Sequence, residues 1–263
     1  MLNIATYNIL HGRYAGMILE NLKFLLEKGA DIICLQEADL PFEKPLNELL
    51  QTPAFKNWRV QYAHTGVGGN LATIWDGTRL QFQNSEILLL PSLPKPAISQ
   101  RLTFRTNVRQ RVGLVSNFLF ENKVVRVTNV HLAWEGGIRQ RLAQLSYVRN
   151  ALANEEASYD ILAGDFNLLP TRALRRIEEK KIGATLGQLY TNALPNIKWN
   201  FDTSYTAPED GLETVANICR AFGITFRCRL DYIFTRNLKT ISGEMFDLPG
   251  SDHRPLLAKF DFR

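Results

Sequence analysis

Cysteine is scarce in this chain: there are three in 263 residues, Cys34, Cys219 and Cys228, and no two stand at CxxC spacing. A thiolate metal site of that kind is therefore not expected. Cys34 lies in the apolar run Asp31-Ile-Ile-Cys-Leu-Gln36 and reads as a small buried core residue. Cys219 and Cys228 could pair if their backbones meet, but the odd total argues against a disulfide framework. Long apolar runs are missing too, since none approaches the ~20 residues of a membrane-spanning helix. The opening Met-Leu-Asn-Ile-Ala-Thr lacks the charged and apolar regions of a secretory signal. No repeat, low-complexity tract or flexible linker stands out. The expectation is a reduced, soluble, cytoplasmic protein without a membrane span.

What is present is ordinary globular material, 45% hydrophobic and 22% charged. At this length one domain over residues 1–263, expected to be a monomer, can bury a full core unaided. The net charge of +5 and pI near 9.1 draw such a chain toward phosphate-rich partners, nucleic acid or anionic lipid. Many soluble proteins carry this charge for no special reason.

Strand-like runs cover Leu2–Tyr7, Asp31–Leu35, Val112–Phe120, Val124–Leu132, Tyr159–Ala163, Leu230–Thr235 and Leu256–Phe260. Helical spacing covers Met17–Lys28, Ile138–Asn154 and Arg172–Lys180. Residues 199–227 read as a polar loop followed by a helix from Glu213 to Phe222. The runs Val112–Phe120 and Val124–Leu132 form a hairpin around Glu121-Asn122-Lys123. That hairpin favours a four-layer α/β sandwich, two packed mixed β-sheets flanked by helices, over a doubly wound parallel sheet.

Asn8, Glu37, Asp165, Asn167, Asp231 and Asp252 each fall at or beside the end of an apolar strand-like run. Alone, each has a plain reading: a turn former, a solvated strand end, an Asx-turn. Six together suggest convergence on one rim. Hard oxygen ligands are what Mg²⁺ or Mn²⁺ prefer, and several carboxylates on one rim repel unless a cation sits between them. In Gly164-Asp165-Phe166-Asn167 the Gly allows a close backbone approach. Ser251-Asp252-His253-Arg254-Pro255 sets two titratable groups beside a fixed Pro, suited to metal binding, acid/base work or phosphate neutralisation. Asp231, opening a buried strand, needs a partner, and an imidazolium is a natural one.

These segments, with Thr6-Tyr7-Asn8, Leu35-Gln36-Glu37, Asn129-Val130-His131-Leu132 and Leu230-Asp231-Tyr232-Ile233-Phe234, resemble the ordered motifs of the endonuclease/exonuclease/phosphatase superfamily. Its members include deoxyribonuclease I-like nucleases, apurinic/apyrimidinic endonucleases, neutral sphingomyelinases, inositol polyphosphate 5-phosphatases and tyrosyl-DNA phosphodiesterases. The resemblance implies Glu37 as principal Mg²⁺ or Mn²⁺ ligand, with Asn8 and Asp252 completing the metal side. It implies that Asp165 holds or deprotonates the attacking water and that Asn167 orients it. His253 would donate to the scissile phosphate, Asp231 would orient His253, and His131 would bind the phosphate from another side or be a satisfied core histidine. Two departures weigh against apurinic specificity: Leu10 stands where that branch carries an acid, and Leu-Ala-Trp-Glu-Gly-Gly follows His131 without its Tyr and Asn pair.

For the substrate, Arg101, Arg105, Arg109 and Arg111 form either a phosphate-tracking face or a charged sheet edge. Arg172, Arg175, Arg176, Lys180 and Lys181 follow Asn167 closely, as a solvent-facing helix would also place them. Asn70, in Gly69-Asn70-Leu71-Ala72, lines the cleft or makes a plain turn before a strand. The first expectation is a DNA nuclease or phosphodiesterase. The alternatives are a phosphatase or phosphodiesterase for lipid head groups or small phosphate esters, and a catalytically silent binding scaffold. A bilayer-inserting loop would favour the lipid reading; only Ile87–Leu93 comes close, and a core strand explains it better.

Overall fold

The computed structural model describes residues 1–65, 70–92, 110–153, 159–168, 172–187, 189–202 and 227–262. Within them, two six-stranded sheets lie between two pairs of helices. The first sheet is ordered β13-β14-β1-β2-β4-β3 and the second β5-β6-β7-β8-β12-β9. In chain order the strands of the first are β1 (Leu2–Asn8), β2 (Ile32–Gln36), β3 (Trp58–Ala63), β4 (Leu71–Asp76), β13 (Leu238–Met245) and β14 (Leu256–Phe262). Those of the second are β5 (Gln81–Leu89), β6 (Val112–Phe120), β7 (Lys123–His131), β8 (Tyr159–Asp165), β9 (Thr191–Asn192) and β12 (Asp231–Arg236). A small ribbon pairs β10 (Phe201–Asp202) with β11 (Arg227–Cys228).

Strand alternation explains the layers. Leu2 and Ile4 of β1 and Ile32 and Cys34 of β2 face the second sheet, and Val125 and Val127 of β7, Ile161 and Ala163 of β8, and Ile233 of β12 face the first; together they form the core between the sheets. The opposite parity faces helices. Ala5, Tyr7, Ile33 and Leu35 pack with α1 (Ala15–Glu27) and α2 (Leu40–Leu50). Leu162, Tyr232 and Phe234 pack with α3 (Gly137–Ala153) and α4 (Arg172–Leu186). The four-layer α/β sandwich is as expected. The doubly wound alternative fails because β12 runs antiparallel to β8, as does β14 to β1.

Register places the site. β1 and β2 are parallel with Asn8 opposite Gln36, and β7 and β8 are parallel with His131 opposite Asp165. Antiparallel β12 begins with Asp231 opposite Asp165. The inward parity that is apolar along the core thus turns polar on one rim, at Asn8, Gln36, His131, Asp165 and Asp231.

Two details differ from expectation. Helix α2 was not anticipated; Pro41 sits in its first turn, where the missing N–H costs nothing, while Pro45 lies inside it. Ile87–Leu93 is not a core strand in its described part: β5 is an edge strand, and Ile87 and Leu89 are exposed. Cys228 is a buried free thiol. Cys219, Glu213–Phe222, Gly69, and Arg101, Arg105 and Arg109 lie outside the described residues.

Candidate active site

Each site residue sits where a strand stops. Asn8, 2% exposed, accepts the Leu10 N–H on Oδ1 at 3.1 Å and donates from Nδ2 to Asp165 Oδ2 at 3.1 Å, linking the two sheets. Glu37 leaves β2 with φ of 57° and Asn167 follows β8 with φ of 52°. Both stand in the left-handed region, which costs a non-glycine residue energy and recurs at functional sites. Gly164, at φ 143°, meets β7 so closely that a Cβ would lie 1.9 Å from the Val130 carbonyl oxygen. That approach aligns Asp165 with His131.

Asp165 Oδ1 accepts the Asn167 N–H at 2.8 Å, while Asn167 Nδ2 donates to the Leu132 carbonyl at 2.9 Å. His253 Nδ1 meets Asp231 Oδ2 at 2.6 Å, and its Nε2 lies 3.8 Å from Asp165 Oδ2. Asn200 donates from Nδ2 to the same Asp231 oxygen, while its Oδ1 accepts the Leu230 and Asp231 N–H groups at 3.0 and 3.2 Å. Ser251 donates to the Asn8 carbonyl at 2.7 Å, tying the Asp252–His253 loop to β1. Arg254 fastens that loop from behind, through the Ser251 carbonyl, Asp202 and Asp247.

His131 Nε2 lies 3.5 Å from Asp165 Oδ2 and 3.8 Å from Glu37 Oε1. Arg111 Nη1 is 3.0 Å from Nδ1 and 3.1 Å from Nε2 of the same ring, and Arg111 Nη2 donates to Glu135 at 3.0 Å. Arg111 is 2% exposed, so it belongs to this buried network and not to a surface tracking phosphates.

Burial and the neighbouring Asp231 charge push the Asp165 carboxyl up to about 7, against His253, the Asn167 N–H and Asn8. For His253, burial opposes charge, but Asp231 and Asp165 outweigh it and hold the imidazole well above its ordinary value. Two buried acids sharing one pocket with a cationic imidazole suit proton transfer near neutrality.

The donor set also fits a divalent cation. Asp165, Asp231 and His253 offer ligand atoms within 4.8 Å of one another. Asp231 Oδ1 is buried with no hydrogen-bond partner among the described residues. Glu37 presents a carboxylate across the cleft with 16% of its side chain exposed. Because Asp231 Oδ2 and His253 Nδ1 already satisfy each other, the unpartnered carboxylate oxygen left for a ligand is Asp231 Oδ1.

All eight residues expected from the sequence stand at this rim, with the Asp252 charge acting on His253. Asn200, Glu135, His11 and Asp39 were not anticipated, and Arg111 was expected on a phosphate-tracking face or charged sheet edge instead of in this network. His11 is one of only four histidines in the chain, and that scarcity was the one available signal. Asn200 lies between short, irregular segments and gave none. Asn70 does not line the cleft but donates to Asp39 Oδ1 at 3.0 Å.

The architecture is shared with known structures. Danio rerio TDP2 complexed with a single-strand DNA product is 17% identical, with a TM-score of 0.73 over 99% of this chain and 98% of that one. An endonuclease/exonuclease/phosphatase from Bacteroides vulgatus is 16% identical, with a TM-score of 0.74 over 100% and 99%. The human Nocturnin catalytic domain with bound sulfate is 19% identical, with a TM-score of 0.65 over 100% and 94%. No curated protein sequence matches the chain. The sequence profile of the Endonuclease/Exonuclease/phosphatase family matches residues 5–253. Since that match runs from the first strand of the rim to its last histidine, the chain belongs to the endonuclease/exonuclease/phosphatase family.

Proposed function

We propose that this protein is a hydrolase of phosphodiester bonds in DNA, dependent on Mg²⁺ or Mn²⁺, acting as a cytoplasmic monomer. The observation that carries the reading is the Asn200–Asp231–His253 chain, whose imidazole turns Nε2 toward Asp165 at 3.8 Å. A phosphate held there would meet a cationic donor on one side and a base of pKa about 7 on the other.

Glu37, Asn8 and Asp252 would hold the cation, which supplies positive charge opposite the negative charge developing on the phosphate oxygens. Asp165 accepts the proton of the attacking water, and Asn167 orients that water. His253 donates from Nε2 to a phosphate oxygen while Asp231 keeps its other nitrogen protonated, the role a carboxylate plays behind a catalytic imidazole. His131, backed by Arg111, contacts the phosphate from the second sheet. Positioning and charge then supply most of the rate gain. The relatives support DNA and phosphate-like ligands: TDP2 was seen with a single-strand DNA product and Nocturnin with sulfate.

The test is cleavage of duplex and single-stranded DNA with Mg²⁺, with EDTA, and by the Glu37→Gln and His253→Ala variants. Metal-dependent cutting that falls at least ~100-fold in each variant is the expected result. A variant with near wild-type turnover removes the role assigned to its residue. No cutting of any DNA removes the substrate assignment and points to lipid or small phosphate esters.

A further inference from the structure

Immediately after Asn8 the backbone makes an unusual turn. Leu10, His11 and Gly12 have φ of 48°, 56° and 66°, three successive residues in the left-handed region, two of them not glycine. Such residues persist only where the surroundings over-determine them. Here the Gly12 N–H donates to the Ile9 carbonyl and the Arg13 N–H to the Leu10 carbonyl, both at 3.0 Å. A Cβ on Gly12 would lie 2.6 Å from Phe42 Cβ, so α2 presses on the turn.

The turn delivers one side chain into the site. His11 Nδ1 meets Asp39 Oδ2 at 2.8 Å, and its Nε2 lies 3.3 Å from Glu37 Oε2. The ring thus stands between two carboxylates, one at each of its nitrogens.

Asp39 shows that the arrangement overrides local preference. It is the N-cap of α2, yet its side chain makes no capping hydrogen bond, although Asp is among the best capping residues. One oxygen goes to His11 and the other accepts Asn70 Nδ2 at 3.0 Å. Asn70 is itself fixed, its Oδ1 taking the Thr65 N–H at 3.0 Å and its carbonyl the Ala38 N–H at 3.1 Å. A polar chain thus runs from the start of β4 through Asn70, Asp39 and His11 to Glu37.

We propose that His11 is a positioning residue for the Glu37 carboxylate, setting its rotamer for a divalent cation, with Asp39 holding the ring in place from its other nitrogen. The inference rests on the proposed role of Glu37 as a cation ligand. It names no further ligand: His11 acts on the oxygen of Glu37 that faces away from His131, leaving Oε1, 3.8 Å from His131 Nε2, toward the cleft. Residues that orient metal ligands in this way are worth about 10- to 100-fold in metal affinity.

The experiment is calorimetric titration of Mn²⁺ into the wild-type chain and into His11→Ala, His11→Gln, Asp39→Asn and Glu37→Gln, with a melting curve of each metal-free protein. His11→Ala and Asp39→Asn are expected to raise the Mn²⁺ Kd roughly 10- to 100-fold. His11→Gln, whose amide can still reach Glu37, is expected to recover most of the loss, which a merely structural role would not produce. Asp39→Asn serves if the left-handed backbone leaves His11→Ala poorly folded. Wild-type Kd in both His11→Ala and Asp39→Asn, while Glu37→Gln loses binding, overturns the inference and leaves the role of Glu37 standing. Wild-type Kd in Glu37→Gln overturns both.

Discussion

Replacing Asp231 by Asn removes one charge from the site and changes almost no volume, so its effects can be worked out from the geometry. Asp231 Oδ2 accepts from His253 Nδ1 and from Asn200 Nδ2. An Asn can offer one carbonyl oxygen to that position and keep both contacts, but as a neutral acceptor. Hydrogen bonds to charged groups are worth about 1.5–3 kcal/mol against roughly 1 for neutral ones. Relief of the repulsion between Asp231 and Asp165 returns part of the difference. The net loss of stability is about 1–2 kcal/mol, a fall in melting temperature of roughly 2–8 °C. The catalytic effect is larger and comes from His253. Burial pulls that imidazole toward neutrality, and the Asp231 charge leads the groups that hold it above the ordinary 6.5. Activity that needs protonated His253 is full below its pKa and falls as the pH rises through it. Without the Asp231 charge burial regains ground, so the basic limb of the kcat/KM profile moves to lower pH. At pH 7.5 the rate drops by about 10²–10³-fold, the scale of a lost transition-state donor. The assay is phosphodiester hydrolysis from pH 5 to 9, with NMR titration of the His253 ring. A variant whose basic limb stays where the wild type has it refutes the reasoning, whatever its absolute rate.

Two further outcomes follow from the same geometry. Gly164→Ala forces a Cβ against the Val130 carbonyl oxygen at a φ of 143° and is expected to lower stability by at least ~3 kcal/mol; a soluble variant melting at the wild-type temperature would count against that close approach. Asp165 gives stability a pH dependence of definite sign. Its folded pKa is raised from 3.8 to about 7, so the folded state holds a proton that the unfolded chain releases, and stability falls as the pH rises across that window. A cation held at Asn8 and Glu37 would favour the ionised form of the adjoining Asp165 carboxyl, so the increment in melting temperature on adding Mg²⁺ should be larger at pH 8 than at pH 5. An increment independent of pH, or unchanged in Asp165→Asn, would be the contrary result.

Much of the rim was legible because it obeys period-two alternation: once Leu2 and Ile4 face inward, Asn8 must too, and Ile161 and Ala163 do the same for Asp165. Glu37 breaks that parity, which no spacing rule reveals, because it depends on the left-handed turn after Gln36. What escaped are residues defined by distant partners. Asn200 reaches Asp231 across 31 positions, His11 reaches Asp39 across 28, and Arg111 reads as surface charge until the fold buries it beside Glu135. Helix α2 escaped for the opposite reason: with Pro45 inside it, it forms where packing of Phe42, Leu46 and Leu49 outweighs local propensity.

The resemblance in sequence also hid a division of labour. Gln36 and Asn129 stand in motifs beside the proposed catalytic residues, yet both are fully buried. Asn129 Oδ1 accepts Gln36 Nε2 at 2.8 Å, and its Nδ2 donates to the Leu35 and Ala72 carbonyls at 2.9 and 3.0 Å. One amide on β7 thus fixes the distance to β2 and β4 in the opposite sheet. Stacked sheets tolerate some sliding where only apolar side chains meet, because dispersion is non-directional, whereas three hydrogen bonds from one amide permit none. The contacts that matter for chemistry cross the same gap: Asn8 to Asp165 at 3.1 Å and Glu37 to His131 at 3.8 Å. The motif residues therefore fall into two kinds. One kind is proposed to meet the phosphate and the cation, and the other sets the spacing that brings Asn8 and Glu37 of the first sheet beside His131, Asp165 and Asp231 of the second.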